Sequence, residues 1–259
     1  MTVHEFGEKN EDVLVLFHPL GVRWDVFNYV IPTLQKHYHL VIPALPGFDP
    51  DMPKTDFTSV EQIADEMASW LMHHSLNTTK CLYGCSLGGA VVARMLATRK
   101  ISVNCAVIDG GMTPYQLWKP LTYLIGIRDF IMLEIGKHMG VRALRGMFDP
   151  EKYAENDIAY IKEAISGMSA KTIWRSFYSC NNYSMSKSAP SINCRIAYWY
   201  GSAEKRPRKW DIAYIRKMFP HAQIIENAGM DHAEFFTLHP EEFCKKLTAW
   251  IHLSARDKR

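Results

Sequence analysis

Gly84-Cys85-Ser86-Leu87-Gly88-Gly89 is the most informative stretch of this 259-residue sequence. It follows an apolar run over 80–83, which predicts a strand, and it precedes a helical pattern over 87–99. The spelling G-x-S-x-G in this setting is that of a nucleophile elbow, in which the serine occupies a strained turn between a strand and a helix. Small flanking residues let the neighbouring backbone approach closely. The stretch therefore predicts that Ser86 is a nucleophile at the carboxyl end of a strand.

Other interpretations of this stretch compete with a nucleophilic serine. A glycine-rich turn that only packs a helix against a sheet has a similar composition. A phosphate-binding loop is disfavoured, because no Lys-Ser or Lys-Thr pair follows the glycines. Cys85 is a second possible nucleophile, but an elbow presents its central residue, so we expect Cys85 to pack inward.

Around this stretch, short apolar runs alternate with longer helical patterns, which predicts an α/β fold with a mostly parallel sheet flanked by helices. Continuous apolar runs such as 13–17 indicate strands that are buried on both faces. The predicted strands are 3–6, 13–17, 39–42, 80–83, 105–108, 195–200 and 223–226. The predicted helices are 24–36, 59–75, 87–99, 209–219 and 240–253, with Ser59 as an N-cap.

The alternation stops over 113–190, where helical pattern dominates, for example over 149–168. We expect this segment to be a helical cap inserted into a core formed by 1–112 and 191–259. A helical insertion between two strands of one sheet is a candidate lid over a site. A packed helical subdomain without a catalytic part is the alternative interpretation.

The composition is that of an ordinary globular protein, with 47% apolar and 22% charged residues. The formal net charge of +3 is too small to suggest a nucleic-acid binder. The six cysteines are scattered and form no C-x-x-C pair, which favours a reduced, intracellular protein over a disulfide scaffold. The first ten residues are polar and do not resemble a secretory signal. Because no apolar run approaches the length of a membrane span, we expect a cytoplasmic protein.

Two further groups of residues carry weaker signals. The pairs His73-His74 and His37/His39 have no carboxylate or cysteine at ligand spacing, so we predict no metal site. The basic run Lys205-Arg206-Pro207-Arg208-Lys209 is interpreted as a solvated loop that leads into a helix. Attraction of an acidic substrate or partner is the alternative for this run.

A nucleophilic serine needs a general base, and His232 is the strongest candidate among the 11 histidines. It follows the predicted strand 223–226, in a loop at the carboxyl end of that strand, where α/β sheets carry their sites. The acid that would orient the imidazole is Glu204, which lies four residues beyond the strand that ends at Tyr200.

Asp109 is the rival for the role of the acid, because it directly follows the predicted strand 105–108. Its Asp-Gly-Gly turn could equally be structural. Asp231 is the poorest candidate, because neighbouring side chains in an extended loop point apart from each other.

With these residues in place, the whole chain resembles an α/β-hydrolase, in particular a small serine esterase or lipase-like member with a helical cap. The order Ser86, Glu204, His232 along the chain is the order of nucleophile, acid and base in that superfamily. The resemblance rests on the elbow, on Gly229-Met230-Asp231-His232, on Phe17-His18-Pro19-Leu20-Gly21 and on Pro43-Ala44-Leu45-Pro46-Gly47-Phe48.

The resemblance implies that the backbone N–H groups of Leu20 and Leu87 form an oxyanion hole. Two residues depart from the family pattern. Pro19 replaces the usual glycine of the oxyanion loop, and Asp231 precedes His232 where the family usually has glycine. Pro19 stiffens the loop but leaves the proposed donor, the next residue, intact.

The implied activity is hydrolysis of a small carboxylic ester through an acyl-enzyme on Ser86, with a small-molecule acyl substrate and without a cofactor. A thioesterase, an amidase or a carbon–carbon bond hydrolase would use the same residues. A ligand receptor with little turnover and a non-catalytic interaction protein are the alternatives from other classes. Dehalogenase and epoxide hydrolase chemistry are disfavoured, because those relatives carry an aspartate nucleophile. The residues predicted to line the substrate pocket are His18, Tyr115, Trp118, Trp174, Tyr178 and Met230.

Overall fold

A seven-stranded sheet forms the centre of the molecule. The computed structural model describes residues 1–185, 192 and 194–253. Its strands are β1 (Thr2–Phe6), β2 (Val13–Phe17), β3 (His39–Ala44), β4 (Thr78–Cys85), β5 (Ser102–Asp109), β6 (Arg195–Gly201) and β7 (Gln223–Asn227). All seven predicted strands are present. β2 and β3 are buried along their whole length, whereas β1 and β7 are partly exposed strands at the two edges of the sheet.

The strand order across the sheet is β1-β3-β2-β4-β5-β6-β7. Only β1 runs antiparallel to its neighbour, and the remaining pairs are parallel. Since parallel strands end at the same edge, the registers Cys85↔Asp109 and Asp109↔Trp199 align the ends of β4, β5 and β6. The loops that carry Ser86, Glu204 and His232 therefore leave the same edge of the sheet.

Helices cover both faces of the sheet, as the continuous apolar strands require. In β2, Val13, Val15 and Phe17 face one apolar layer, and Leu14 and Leu16 face the other. The first layer includes α2 (Val60–His73) and α3 (Leu87–Thr98), and the second includes α10 (Pro240–His252). The other helices of the core are α1 (Ile31–Leu34), α8 (Lys209–Met218) and α9 (Glu234–Leu238). This architecture confirms the predicted fold class.

The predicted helix 24–36 is wrong as a single element. The structure has a 3₁₀ helix over Trp24–Tyr29 and then the short α1, with the break at Val30. Pro32 explains the break. It has no N–H to donate to the carbonyl of Asn28, and its ring would clash with that carbonyl in a continuous α-helix.

The segment between β5 and β6 is helical, as predicted. It contains α4 (Lys119–His138), α5 (Val141–Arg145), α6 (Glu155–Gly167) and α7 (Ala170–Cys180). The pattern over 149–168 produces a helix only from Glu155. The chain first makes a separate turn, in which the Asp149 carbonyl accepts from the Lys152 and Tyr153 N–H groups at 3.1 Å, and Ala154 is then extended. The predicted end of this segment, at residue 190, lies outside the described residues, as do residues 254–259.

Hydrogen bonds hold this helical insertion against the core. The hydroxyl of Tyr160 donates to Asp25 Oδ1 at 2.6 Å, and the Val60 N–H donates to Ser179 Oγ at 2.8 Å. In the part of the chain that the structure describes, none of the helices combines the length and apolar composition that a membrane crossing requires.

Candidate active site

Ser86 lies on a strained turn between β4 and α3. Its φ of 52° is a left-handed value that a non-glycine residue rarely adopts. The Ser86 N–H donates to the carbonyl oxygen of Asp109 at 2.9 Å, which ties the turn to the end of β5. The strain is held in place by the surrounding sheet, and it presents the side chain at the carboxyl edge.

The glycines around Ser86 are required by close backbone packing. A Cβ on Gly84 would lie 2.2 Å from the carbonyl oxygen of Gly88, and a Cβ on Gly88 would lie 2.2 Å from the carbonyl oxygen of Phe17. The contact of Gly88 with Phe17 also places the loop after β2 beside the N-terminus of α3. Cys85 points into the core and is fully buried, which confirms that it packs inward, and burial raises the pKa of its thiol well above the ordinary value.

Glu204 and His232 form a short hydrogen bond. His232 Nδ1 donates to Glu204 Oε1 at 2.6 Å, so the Nε2 atom of the ring is left to exchange a proton with a reacting group. Glu204 lies in the 3₁₀ turn Ser202–Glu204 after β6 and is buried. Burial favours its protonated form, but the hydrogen bond from His232 and the charge of Arg208 prevail and lower the pKa of Glu204 to about 2. The carboxylate is therefore ionised near neutral pH.

Asp109 makes a different contact. Its Oδ2 atom accepts a hydrogen bond of 2.7 Å from the Tyr83 hydroxyl, and the side chain is buried. Burial raises the pKa of Asp109 to about 6, although the bond from Tyr83 opposes the shift. Of the two carboxylates weighed for the acid, Glu204 is the one bonded to the imidazole.

Gly110 lies beside the Glu204–His232 pair, where a side chain would not fit. A Cβ on Gly110 would lie 3.0 Å from His232 Nδ1 and 3.3 Å from Glu204 Oε1, and its φ is +53°. The carbonyl oxygen of the preceding residue, Asp109, accepts the hydrogen bond from the Ser86 N–H. Ser86, Glu204 and His232 therefore all lie beside the turn formed by Asp109 and Gly110. Among the hydrogen bonds between described residues, none joins Ser86 Oγ to the His232 ring. Catalytic hydrogen bonds of this kind often tighten only when substrate binds.

The turn before His232 is fixed by its own residues. Asp231 Oδ1 accepts from the backbone N–H of His232 at 2.7 Å, so this carboxylate orders the backbone of the turn. Met230 is buried, and its carbonyl oxygen accepts from the Ala203 N–H at 3.1 Å. This bond links the loop of His232 to the loop of Glu204.

The amides predicted to bind an oxyanion belong to Leu20 and Leu87. Leu87 is the first residue of α3, and Leu20 follows Pro19 in the loop after β2. Within the described chain, neither amide donates to a backbone acceptor. His18 belongs to the same loop and is fully buried. Its Nδ1 donates to the Pro19 carbonyl at 2.9 Å, and its Nε2 faces the Leu45 N–H at 3.4 Å.

Burial lowers the pKa of His18 to about 4, so the ring is neutral and shapes the loop.

The predicted aromatic pocket residues are spread over the insertion. Trp174 packs against Tyr178, with ring centroids 5.7 Å apart, and Tyr115 is half-buried. Trp118 is 76% exposed, so it lines no enclosed pocket in this structure.

A model of the alpha/beta hydrolase family matches residues 14–246. The chain belongs to the alpha/beta hydrolase family. The hydrolase is 23% identical over 257 residues to the pimeloyl-[acyl-carrier protein] methyl ester esterase of Sodalis glossinidius (strain morsitans), a match that covers 93% of this chain and 94% of the relative.

Solved structures share the fold of this hydrolase. The bromoperoxidase from Bacillus anthracis superposes with a TM-score of 0.75 at 18% identity, over 96% of this chain and 94% of that chain. A thermophilic esterase from Thermogutta terrifontis superposes with a TM-score of 0.71 at 15% identity, over 97% and 94%. At these identities the superpositions establish the fold alone.

Two residues of the candidate site were not predicted from the sequence. Gly110 leaves the space that the His232 ring occupies, and only its place in the Asp-Gly-Gly turn indicated a special backbone. Arg208 bonds Glu204 Oε1 at 2.9 Å, although the basic run that contains it predicted a solvated loop. The spacing of four residues between Glu204 and Arg208 is the signal that could have revealed this pair. Over the described residues, no cluster of three metal-ligating side chains is present.

Proposed function

We propose that the protein is a serine hydrolase that cleaves a small carboxylic ester through an acyl-enzyme on Ser86. The observation that carries the proposal is the 2.6 Å bond between His232 and Glu204, beside the strained turn of Ser86. Membership of the hydrolase family and the distant esterase relative support it. A nucleophile, a base and an orienting acid on one sheet edge are the groups that acyl transfer needs.

In the first half of the reaction, Ser86 Oγ attacks the carbonyl carbon of the ester while His232 Nε2 takes the hydroxyl proton. The carbonyl oxygen becomes an oxyanion and accepts hydrogen bonds from the N–H groups of Leu20 and Leu87. One such donor contributes roughly 2.7–4 kcal/mol to lowering the barrier. The intermediate then expels the alcohol, which receives the proton from His232, and the acyl group stays on Ser86.

In the second half, a water molecule attacks the acyl carbon and gives one proton to His232 Nε2. Collapse of the second tetrahedral intermediate releases the carboxylic acid and returns the proton to Ser86 Oγ. Glu204 stabilises the imidazolium that forms in both halves and keeps Nδ1 protonated.

The helical insertion serves as the cap in this proposal. Half-buried Tyr115 and the Trp174–Tyr178 stack offer apolar surface suited to an acyl chain. Hydrolysis of p-nitrophenyl esters of graded acyl length would define which chain the site prefers.

The test of the proposal is the activity of four variants on p-nitrophenyl esters. Ser86→Ala and His232→Ala should each lower kcat by several orders of magnitude without unfolding the protein. Glu204→Gln should cost up to about 10⁴-fold. Cys85→Ala is the matched control beside the nucleophile and should retain most of the activity, because the thiol faces the core.

Activity in Ser86→Ala close to that of the wild type would contradict the assignment of the nucleophile. A wild-type protein whose melting temperature rises with an ester that it does not turn over would indicate a receptor instead.

A further inference from the structure

Arg208 stands apart from the rest of its basic run. Its side chain is 15% exposed, whereas that of Lys205 is 69% exposed. Arg208 Nε donates to Glu204 Oε1 at 2.9 Å, and Arg208 Nη1 donates to Asp211 Oδ2 at 3.3 Å. One buried guanidinium therefore joins two buried carboxylates, one of which belongs to the candidate site.

The carboxylate of Glu204 is held by three donors. Its Oε1 atom accepts from both His232 Nδ1 and Arg208 Nε, and its Oε2 atom accepts from the Gly201 N–H at 3.2 Å. The Arg208 N–H also donates to the backbone oxygen of Glu204 at 2.9 Å. Rotation of this carboxylate away from the imidazole would break the bond to Arg208 as well.

Asp211 extends the network to the insertion. Its Oδ1 atom accepts from both the N–H and the hydroxyl of Thr113, each at 2.8 Å. Thr113 is the first residue of the segment predicted as a cap, and both Thr113 and Asp211 are buried. The chain His232–Glu204–Arg208–Asp211–Thr113 thus runs from the proposed base to the root of the insertion.

We propose that Arg208 is a positioning residue, which holds Glu204 Oε1 against His232 Nδ1 and is itself held by Asp211 at the root of the insertion. This inference rests on the proposed function, since it gives Arg208 its task through the catalytic acid. Arg208 makes two directed bonds with its planar fork, which a point charge could not reproduce.

The charges around Glu204 decide what the loss of Arg208 would do. The titratable groups that face Glu204 from the neighbouring elements are Tyr83 and Cys85 of β4, Asp109 of β5, Tyr198 of β6, Arg208 and Asp211 of the α8 region, and His232. Without the cation, Glu204 would share a buried region with Asp109 and Asp211. The Glu204–His232 pair would then bind a proton more readily, because a nearby cation disfavours the protonated state.

The experiment compares the pH profile of kcat/KM for p-nitrophenyl acetate in four proteins. Arg208→Gln should lower kcat/KM about 100-fold, which is the order of effect of a misplaced catalytic group, and should move the acid limb to higher pH. Arg208→Lys should restore the position of that limb but only part of the rate. Arg206→Gln, an exposed arginine in the same run, is the matched control and should behave as the wild type.

Asp211→Asn tests the contact that holds Arg208. The amide oxygen can still accept from Thr113, but the amide NH2 group would face Arg208 Nη1 and could not accept from it. We therefore expect a lower kcat/KM, with a smaller loss than in Arg208→Gln. If Arg208→Gln fails to fold, the Arg208→Lys and Asp211→Asn profiles decide the matter. An Arg208→Gln protein that folds and keeps both the rate and the acid limb of the wild type would overturn the inference, as would an Asp211→Asn protein with the wild-type kcat/KM.

A readout independent of turnover separates this inference from the proposed function. The proton in the short bond from His232 Nδ1 to Glu204 should give a downfield ¹H NMR resonance that is lost in His232→Ala. That resonance should shift in Arg208→Gln and stay in place in Arg206→Gln. A wild type without esterase activity whose resonance responds to Arg208→Gln would contradict the ester hydrolase alone. An active wild type whose resonance ignores Arg208→Gln would contradict the positioning role alone.

Discussion

Gly110 is the residue at which the serine turn meets the proposed acid and base. Gly110→Ala should lower kcat and stability together, because the added Cβ would press on His232 Nδ1 at 3.0 Å and would occupy a φ of +53°. We expect a loss of more than about 1 kcal/mol in the free energy of unfolding. Kinetics and denaturant unfolding of the purified variant measure both effects.

Gly229→Ala is the control for this substitution. Gly229 also has a positive φ, +77°, but an added Cβ there meets nothing within 4 Å. The Gly229→Ala protein should therefore lose stability through backbone strain, but it should keep more of its kcat than the Gly110→Ala protein. Equal losses of kcat in the two variants would argue against a clash between the added Cβ and His232.

Asp109 should make the stability of the protein depend on pH. Because burial raises its pKa to about 6, the folded state disfavours its charged form, and stability falls as pH rises through the range between the unfolded and folded values. Asp109→Asn removes this titration while the amide oxygen can still accept from Tyr83. Between about pH 4 and about pH 7, wild-type stability should fall by about 2 kcal/mol more than that of the variant. Urea denaturation of both proteins at several pH values measures this difference. The same dependence of the free energy of unfolding on pH in both proteins would contradict the expectation.

Three aromatic side chains, Tyr123 of α4 and Trp174 and Tyr178 of α7, pack against one another in the insertion. Trp174 lies half-buried between Tyr123 and Tyr178, with ring centroids 5.1 Å and 5.7 Å away, whereas Trp118 is 76% exposed at the start of α4. Trp174→Ala should therefore destabilise the protein by about 2 kcal/mol, and Trp118→Ala should change stability by less than about 0.5 kcal/mol. Thermal unfolding of the two variants tests the difference, and equal changes would show that the stack is not a packing unit.

The strands and most helices could be predicted from the sequence, because their signals are local. The apolar run 13–17 became β2 with the same bounds, and Ser59 caps α2 by accepting from the Gln62 N–H at 3.1 Å. The failures occurred where the backbone leaves the helical conformation. Pro32 divides the predicted helix 24–36, and the extended backbone of Ala154 delays the start of α6. A helical pattern counts apolar positions and does not register a missing N–H.

The site was predictable only as far as each residue could be placed on the sheet edge. Ser86 and His232 follow strands that the pattern identified, and Glu204 does so as well. The burial of Arg208 was not predictable, because its partners Glu204 and Asp211 surround it only after β6 and α8 have packed. The sequence of the basic run is the same whether the side chain of Arg208 is solvated or buried.

At the scale of the whole molecule, an ion pair between Lys152 and Glu234 joins the insertion to the segment that follows His232. Lys152 Nζ lies 3.0 Å from both carboxylate oxygens of the buried Glu234, and Glu234 Oε2 also accepts from the Asp231 N–H at 2.8 Å. Lys152→Met leaves this buried carboxylate without its cation. We expect faster amide hydrogen exchange in α5 and α6 and in the turn before His232.

Lys205→Met is the matched control, since it breaks the exposed pair with Glu226, which has a similar length of 2.9 Å but lies outside the insertion. Exchange rates in α5 and α6 should not change in this variant. Identical exchange in the two variants would mean that the Lys152–Glu234 pair does not hold the insertion to the core.

Acylation of Ser86 is the step on which the whole account depends, and acid quenching traps it. The protein is mixed with p-nitrophenyl acetate, quenched within milliseconds and digested with trypsin, which releases the peptide 81–94 that contains Ser86. The account predicts a burst of p-nitrophenol and an acetyl group on Ser86, both of which disappear in Ser86→Ala. An acetyl group on Cys85, or steady turnover without any acetylated peptide, would contradict it.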